Sequence, residues 1–73
     1  MVTLKNAEFR HNDEGQRVAE IILYTDSLDN LPTEASDIEG LLDDDVIDDG
    51  SIALDMTNGK VAMFTGEEWC AWS

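Results

Sequence analysis

The sequence predicts a small, mostly β protein: an antiparallel sheet made of an N-terminal hairpin and a C-terminal three-stranded meander, joined by a long acidic loop with at most one short helix. Three observations carry this. Asn58-Gly59 stands between two runs of alternating residues, Gly66-Glu67 opens a further turn, and Asn12-Asp13-Glu14-Gly15 separates two strand-like runs near the N-terminus. Asn-Gly favours the positive φ angles of a type I′ turn, whose twist suits a two-residue hairpin.

The C-terminal third follows from those turns. With Asn58 and Gly59 as the loop, Thr57 pairs with Lys60, Met56 with Val61, Leu54 with Met63 and Ile52 with Thr65. Side chains alternate along a strand, so Ile52, Leu54, Met56, Val61 and Met63 share one face. A two-residue turn at Gly66-Glu67 sets Phe64 opposite Trp69 and Val61 opposite Trp72.

The N-terminal hairpin rests on a loose alternation over residues 2–11 and on Gly15, which suits the left-handed residue of a bulged loop. Residues 16–25 follow, rich in β-branched and aromatic side chains that favour a strand. A helix competes, because Val18, Ile21, Ile22 and Thr25 also fit a helical face. The strand is preferred because the turn before it sets up a hairpin.

Residues 26–49 differ in character, with ten acidic residues and no basic one. Pro32-Thr33-Glu34 suits the start of a helical turn running through Glu39, and Gly40 suits its stop. Leu41-Leu42 and Val46-Ile47 are apolar pairs placed to pin the segment to the sheet. An irregular stretch this long in a compact domain is often functional. No linker or repeat divides the chain, so residues 1–73 read as one small domain. Such a chain buries only roughly 60% of the surface it exposes when unfolded.

Charge narrows the function classes. Seventeen acidic residues face four basic ones, a formal net charge of −13. That field repels nucleic acid and anionic membranes and attracts basic partners or cations. The N-terminus lacks a signal-peptide core and no apolar run is long enough to span a bilayer, so synthesis in the cytoplasm is expected. Cys70, the one cysteine, reads as a small hydrophobe beside a sheet, since nothing ties the single histidine, His11, to it.

The chemistry-bearing candidates are few. Asp43-Asp44-Asp45-Val46-Ile47-Asp48-Asp49-Gly50 invites comparison with a calcium loop, but Ile47 and Met56 stand where ligands belong. Asp43, Asp44, Asp45, Asp48 and Asp49 are therefore read as one solvated acidic surface with weak, nonspecific cation binding. On that reading, changing Asp43, Asp44 and Asp45 together to Asn leaves the fold intact. No metal site, cofactor or catalytic residue is expected, because no phosphate loop, nucleophile–base order or metal motif is present. Phe64, Trp69 and Trp72 are the partner-binding candidates. Three residues apart, the tryptophans point to opposite faces: either both pack, one on each side, against Phe64 and Met56, or one is core and the other is free to anchor a protein or a sugar ring.

The pattern Leu-Pro-Thr-Glu (Leu31 to Glu34), Ile-Glu-Gly-Leu (Ile38 to Leu41), Gly-Ser-Ile-Ala-Leu-Asp (Gly50 to Asp55) and Asn-Gly-Lys-Val-Ala-Met-Phe-Thr-Gly-Glu-Glu-Trp (Asn58 to Trp69) resembles small structural proteins and C-terminal modules of bacteriophages and prophages. In those, Gly-Ser opens a strand, a hairpin turn follows and Gly-x-x-Trp closes the unit. Val61-Ala62-Met63-Phe64 stands where that pattern has a more aromatic run. The resemblance implies a virion-associated or assembly role with no catalytic residues. The expectation is thus a non-enzymatic structural or adaptor protein acting through protein contacts, with homo-oligomers open. An acidic inhibitor mimicking nucleic acid and a carbohydrate-contacting module are the alternatives.

Overall fold

The computed structural model describes residues 2–72, and it is mostly β as the sequence predicts. Strand β1 (Val2–His11) pairs antiparallel with β2 (Arg17–Thr25). After a 3₁₀ turn at Ala35–Asp37 come β3 (Val46–Ile47), β4 (Ile52–Asp55), β5 (Lys60–Phe64) and β6 (Trp69–Trp72). The sheet order is β1-β2-β4-β5-β6, and β3 also pairs with β2.

The N-terminal hairpin closes as its turn residues dictate. The Asn12 amide donates to the Gln16 carbonyl, and the Asn12 side-chain oxygen accepts from the amides of Glu14 and Gln16. Gly15 takes the left-handed conformation (φ 82°) at the end of this loop. Residues 17–25 are a strand, not a helix. Their burial alternates, with Ala19, Ile21, Leu23 and Thr25 turned to the core. The alternation in β1 is loose because of a bulge. Leu4 pairs with Leu23 and Asn6 with Ile22, leaving Lys5 as the extra residue. The bulge resets the side-chain phase, so Leu4 and Ala7 both pack on the core.

The sheet is mixed rather than wholly antiparallel. The hairpin and the meander join through parallel pairing, because β3 and β4 both run parallel to β2 along the edge that β1 leaves free. Val46 and Ile47 face Val18 and Ala19, whereas Ile52 to Asp55 face Ile22 to Thr25, so the partner offset grows from 28 to 30 residues. Two residues are thus spliced in between. Ser51 seals the splice: its hydroxyl donates to the Asp48 carbonyl (2.8 Å) and accepts from the Ile21 amide (3.1 Å), and the residue is wholly buried. Sequence patterning missed this pairing because a parallel contact between residues 28 to 30 apart has no turn to announce it.

The C-terminal meander keeps its faces but shifts one register. Phe64 opposes Trp69 and Val61 opposes Trp72, as the Gly66-Glu67 turn predicts. At the other turn, Asp55 pairs with Lys60, Leu54 with Val61 and Ile52 with Met63, so the loop has four residues rather than two. The cause is Asp55. Its carboxylate accepts from the amides of Thr57 and Asn58 and from the Asn58 side chain, all at 2.9 Å. Met56 therefore leaves the ladder and lies exposed in the loop. A two-residue slip preserves side-chain phase, so Ile52, Leu54, Val61 and Met63 still share a face.

The core lies on the opposite face. Ala19, Ile21, Leu23, Ala53, Ala62 and Phe64 line it, joined by Ile38 and Ile47. The crossover from β2 to β3 covers it through Leu28, Leu31, Ile38 and Leu41, while Leu42 and Val46 stay exposed. The helical turn is a single 3₁₀ turn, Ala35–Asp37, shorter than the span from Thr33 to Glu39 suggests.

Two substitutions test this account. Ser51→Ala orphans the buried Ile21 amide and should cost about 1–3 kcal/mol in denaturant unfolding; an unchanged midpoint would remove Ser51 from the splice. Gly59 has φ 68°, so Gly59→Val should lower stability by about 1–3 kcal/mol. An unchanged melting temperature would mean that the loop does not need the left-handed residue.

Candidate functional site

Alternation and register place a second set of side chains on the side of the sheet away from the core. Ile22 on β2 faces Ile52 on β4, which faces Met63 on β5, which faces Cys70 on β6. One step along the strands, Tyr24, Leu54, Val61 and Trp72 form a parallel row. None of these eight packs with the core cluster. Ile22, Tyr24, Ile52, Leu54 and Val61 are partly exposed, and Met63, Cys70 and Trp72 are exposed. The two rows make an apolar band across four strands, with Trp72 61% exposed at its end.

At the other end of the band the character changes. Glu8 and Glu20 are direct cross-strand partners on the same face. Together with Asn6, Ile22, Gly50 and Ile52 they line a hollow of about 200 Å³. Gly50 leaves it open: a Cβ at that position would stand 4.0 Å from Glu20 Oε1. Neighbouring Arg10 is tied to Asp48, Nη2 to Oδ1 at 3.1 Å. The hollow is below the roughly 300–1,000 Å³ usual for small-molecule sites. It has room for one long side chain.

The three aromatic candidates separate. Phe64 is buried and belongs to the core. Trp69 is partly buried, 5.1 Å from Phe64 between ring centroids, and its indole Nε1–H donates to the Pro32 carbonyl at 2.7 Å. Both hold the crossover against the sheet and neither is offered to a partner as a free ring. Trp72 alone among the three remains exposed.

The acidic surface also separates. Asp43, Asp44 and Asp49 are exposed, but Asp45 is buried and Asp48 is partly buried. Arg17 donates to Asp45 through Nε (2.7 Å to Oδ1) and Nη2 (2.6 Å to Oδ2), and the Leu42 amide also donates to Oδ2 at 2.8 Å. The Arg17 guanidinium lies 4.0 Å over the Phe9 ring, so its other face is covered by an aromatic π system. Asp45 is thus a structural anchor rather than a solvated charge. Composition gave no signal for this: seventeen acids and four basic residues do not say which acid an arginine holds. Among the described residues no group of three or more His, Cys, Asp or Glu is arranged to hold a metal ion.

The Arg17 contact holds the Asp45 carboxyl below its ordinary pKa; burial opposes this and the Leu42 amide adds to it. Asp55 is held low as well, first by the Asn58 side chain and amide. No protein-family model, curated protein or solved structure was found to match the chain.

Asp45→Asn should therefore destabilise by on the order of 2 kcal/mol, less than the roughly 3–5 kcal/mol of a fully buried broken pair, because Arg17 keeps some solvent contact. Asp43→Asn with Asp44→Asn should stay within about 0.5 kcal/mol. Because both anchoring carboxyls have depressed folded pKa values, their stabilisation is present above the unfolded carboxylate pKa and is lost as pH falls through the folded values. Urea midpoints measured from neutral to acid pH should fall less steeply for Asp45→Asn than for wild type. Parallel curves would exclude Asp45 as an acid-sensitive anchor.

Proposed function

We propose that the protein is a non-enzymatic structural or adaptor protein of phage or prophage origin, made in the cytoplasm and acting through protein–protein contacts in particle assembly. The observation that carries this is the uncovered apolar band from Ile22 to Trp72. Contiguous exposed apolar surface on a small chain marks an interaction site. Tryptophan is enriched among the residues that anchor protein contacts energetically. The Gly-Ser…Asn-Gly…Gly-x-x-Trp resemblance supplies the particle context.

The rival readings have less support. Mimicry of nucleic acid needs carboxylates in ordered rows. The acids of residues 26–49 instead follow an irregular crossover, and Asp45 and Asp48 are committed to Arg17 and Arg10. A carbohydrate module needs polar groups beside an aromatic platform, whereas Trp72 stands beside Val61 in an apolar row.

The test is sedimentation of tagged protein with particles from the phage or induced prophage that carries the gene. Wild type and Asp43→Asn/Asp44→Asn should travel with a particle or tail fraction. Leu54→Ser/Trp72→Ser should stay near the top of the gradient. Wild type remaining at the top, with the exposed acids needed instead for salt-sensitive binding to a DNA-binding host protein, would replace the adaptor by the mimic.

A further inference from the structure

The apolar band is not uniform in its surroundings, and the asymmetry says what kind of partner fits. Like charges placed directly opposite across a strand pair destabilise a sheet. Glu8 and Glu20 are so placed, at the band's β1–β2 end. Neither has an ion-pair partner among the described residues. Arg10, the nearest cation on that face, is engaged by Asp48. Besides the two glutamates, the hollow at Gly50 is lined by Ile22 and Ile52. A hollow lined by both isoleucines and glutamates suits an aliphatic stem that ends in a cation, as in lysine or arginine.

Resting on the adaptor reading, we infer that the band receives a partner protein's element that sets apolar side chains over Ile22, Ile52, Leu54 and Trp72 and a lysine or arginine into the Glu8–Glu20 hollow. The occupant is a basic partner and not a second copy of this chain. Charge complementarity decides between them. Of the four basic residues, Arg10 and Arg17 are held in ion pairs. Among the described residues Lys5 and Lys60 make no ion pair, so a second copy brings two free lysines, and with them seventeen acids, to meet the same carboxylate pair. It also brings a further net charge of −13. A basic partner is instead drawn by the long-range field and then fixed in register by the hollow.

Two labelled synthetic peptides test this: both carry the same alternating apolar residues, and the intervening positions are lysine in one and glutamate in the other. Fluorescence anisotropy should show the lysine peptide binding wild type about tenfold more tightly than the glutamate peptide. Glu8→Gln/Glu20→Gln should weaken the lysine peptide by about fivefold or more, and Asp43→Asn/Asp44→Asn by less than about twofold. Glu20→Lys should weaken the lysine peptide and strengthen the glutamate peptide, a reciprocal gain that misfolding cannot produce. Equal weakening by the two neutralised pairs would reduce the effect to bulk charge and overturn the inference. So would an ultracentrifugation dimer of the chain that Trp72→Ser abolishes. In the particle sedimentation assay the two readings separate. If Leu54→Ser/Trp72→Ser releases the protein and Glu8→Gln/Glu20→Gln does not, the adaptor stands and the basic partner falls. If neither releases it, the band itself is not the contact.

Discussion

Parallel pairing between β2 and the chain that returns to it is the constraint on which the other features depend. A hairpin sets its own register through its turn, but a parallel pair has no such turn. A register slip of one residue here would turn Ala53 and Asp55 out of the core and bring Ile52 and Leu54 into it. The register is therefore fixed by side chains and single backbone contacts spread along β2. Arg17 grips Asp45 at one end, the Ser51 hydroxyl caps the Ile21 amide in the middle, and the Met56 amide donates to the Thr25 carbonyl at 2.9 Å at the other. The crossover between these anchors can be irregular because its ends are held.

That arrangement explains which parts of the fold were legible in the sequence. Local devices were readable: Asn12 to Gly15 closes its hairpin, and Gly66-Glu67 fixes the pairing of Phe64 with Trp69. The Asn58-Gly59 hairpin was readable in its faces but not in its register. Asn-Gly favours a two-residue loop, and Asp55, three residues before Asn58, competes by accepting three hydrogen bonds from Thr57 and Asn58. Two predicted strand pairs, Met56–Val61 and Thr57–Lys60, are given up for that network. Aspartate binding its own downstream backbone is a local signal. The parallel join and the Arg17–Asp45 pair are not local, and no periodicity encodes a contact between residues 28 apart.

The acids show how composition conceals position. A run such as Asp43-Asp44-Asp45 looks uniform, yet its last member is buried while the first two face solvent. Fork-like guanidinium geometry makes the difference, since Arg17 presents two donors that match one carboxylate. Phe9 on one side and Leu42 on the other complete the setting. Trp69 was likewise ambiguous as one of two tryptophans. It is fixed by an indole hydrogen bond to the carbonyl of Pro32, a residue whose sequence signal is only the start of a helical turn.

A chain of this length has one crossover, and it covers one face of the sheet. The other face is left to be explained by something other than the core. Strand propensity accounts for Ile22, Ile52 and Val61, because β-branched residues suit a pleated surface whether or not they are buried. It does not account for Leu54 or Met63, which have little intrinsic preference for a strand, or for leaving Trp72 largely in water. On a solvated sheet face those positions ordinarily alternate to polar residues. Polar residues do occupy that face on β1, at Thr3, Asn6, Glu8 and Arg10, where no apolar band runs. The change from polar to apolar between β1 and β2 is therefore a property of position within the sheet and not of the face as a whole. The proposed contact surface, with Glu8 on β1 and Glu20 on β2 as its charged rim, would account for both halves of that face.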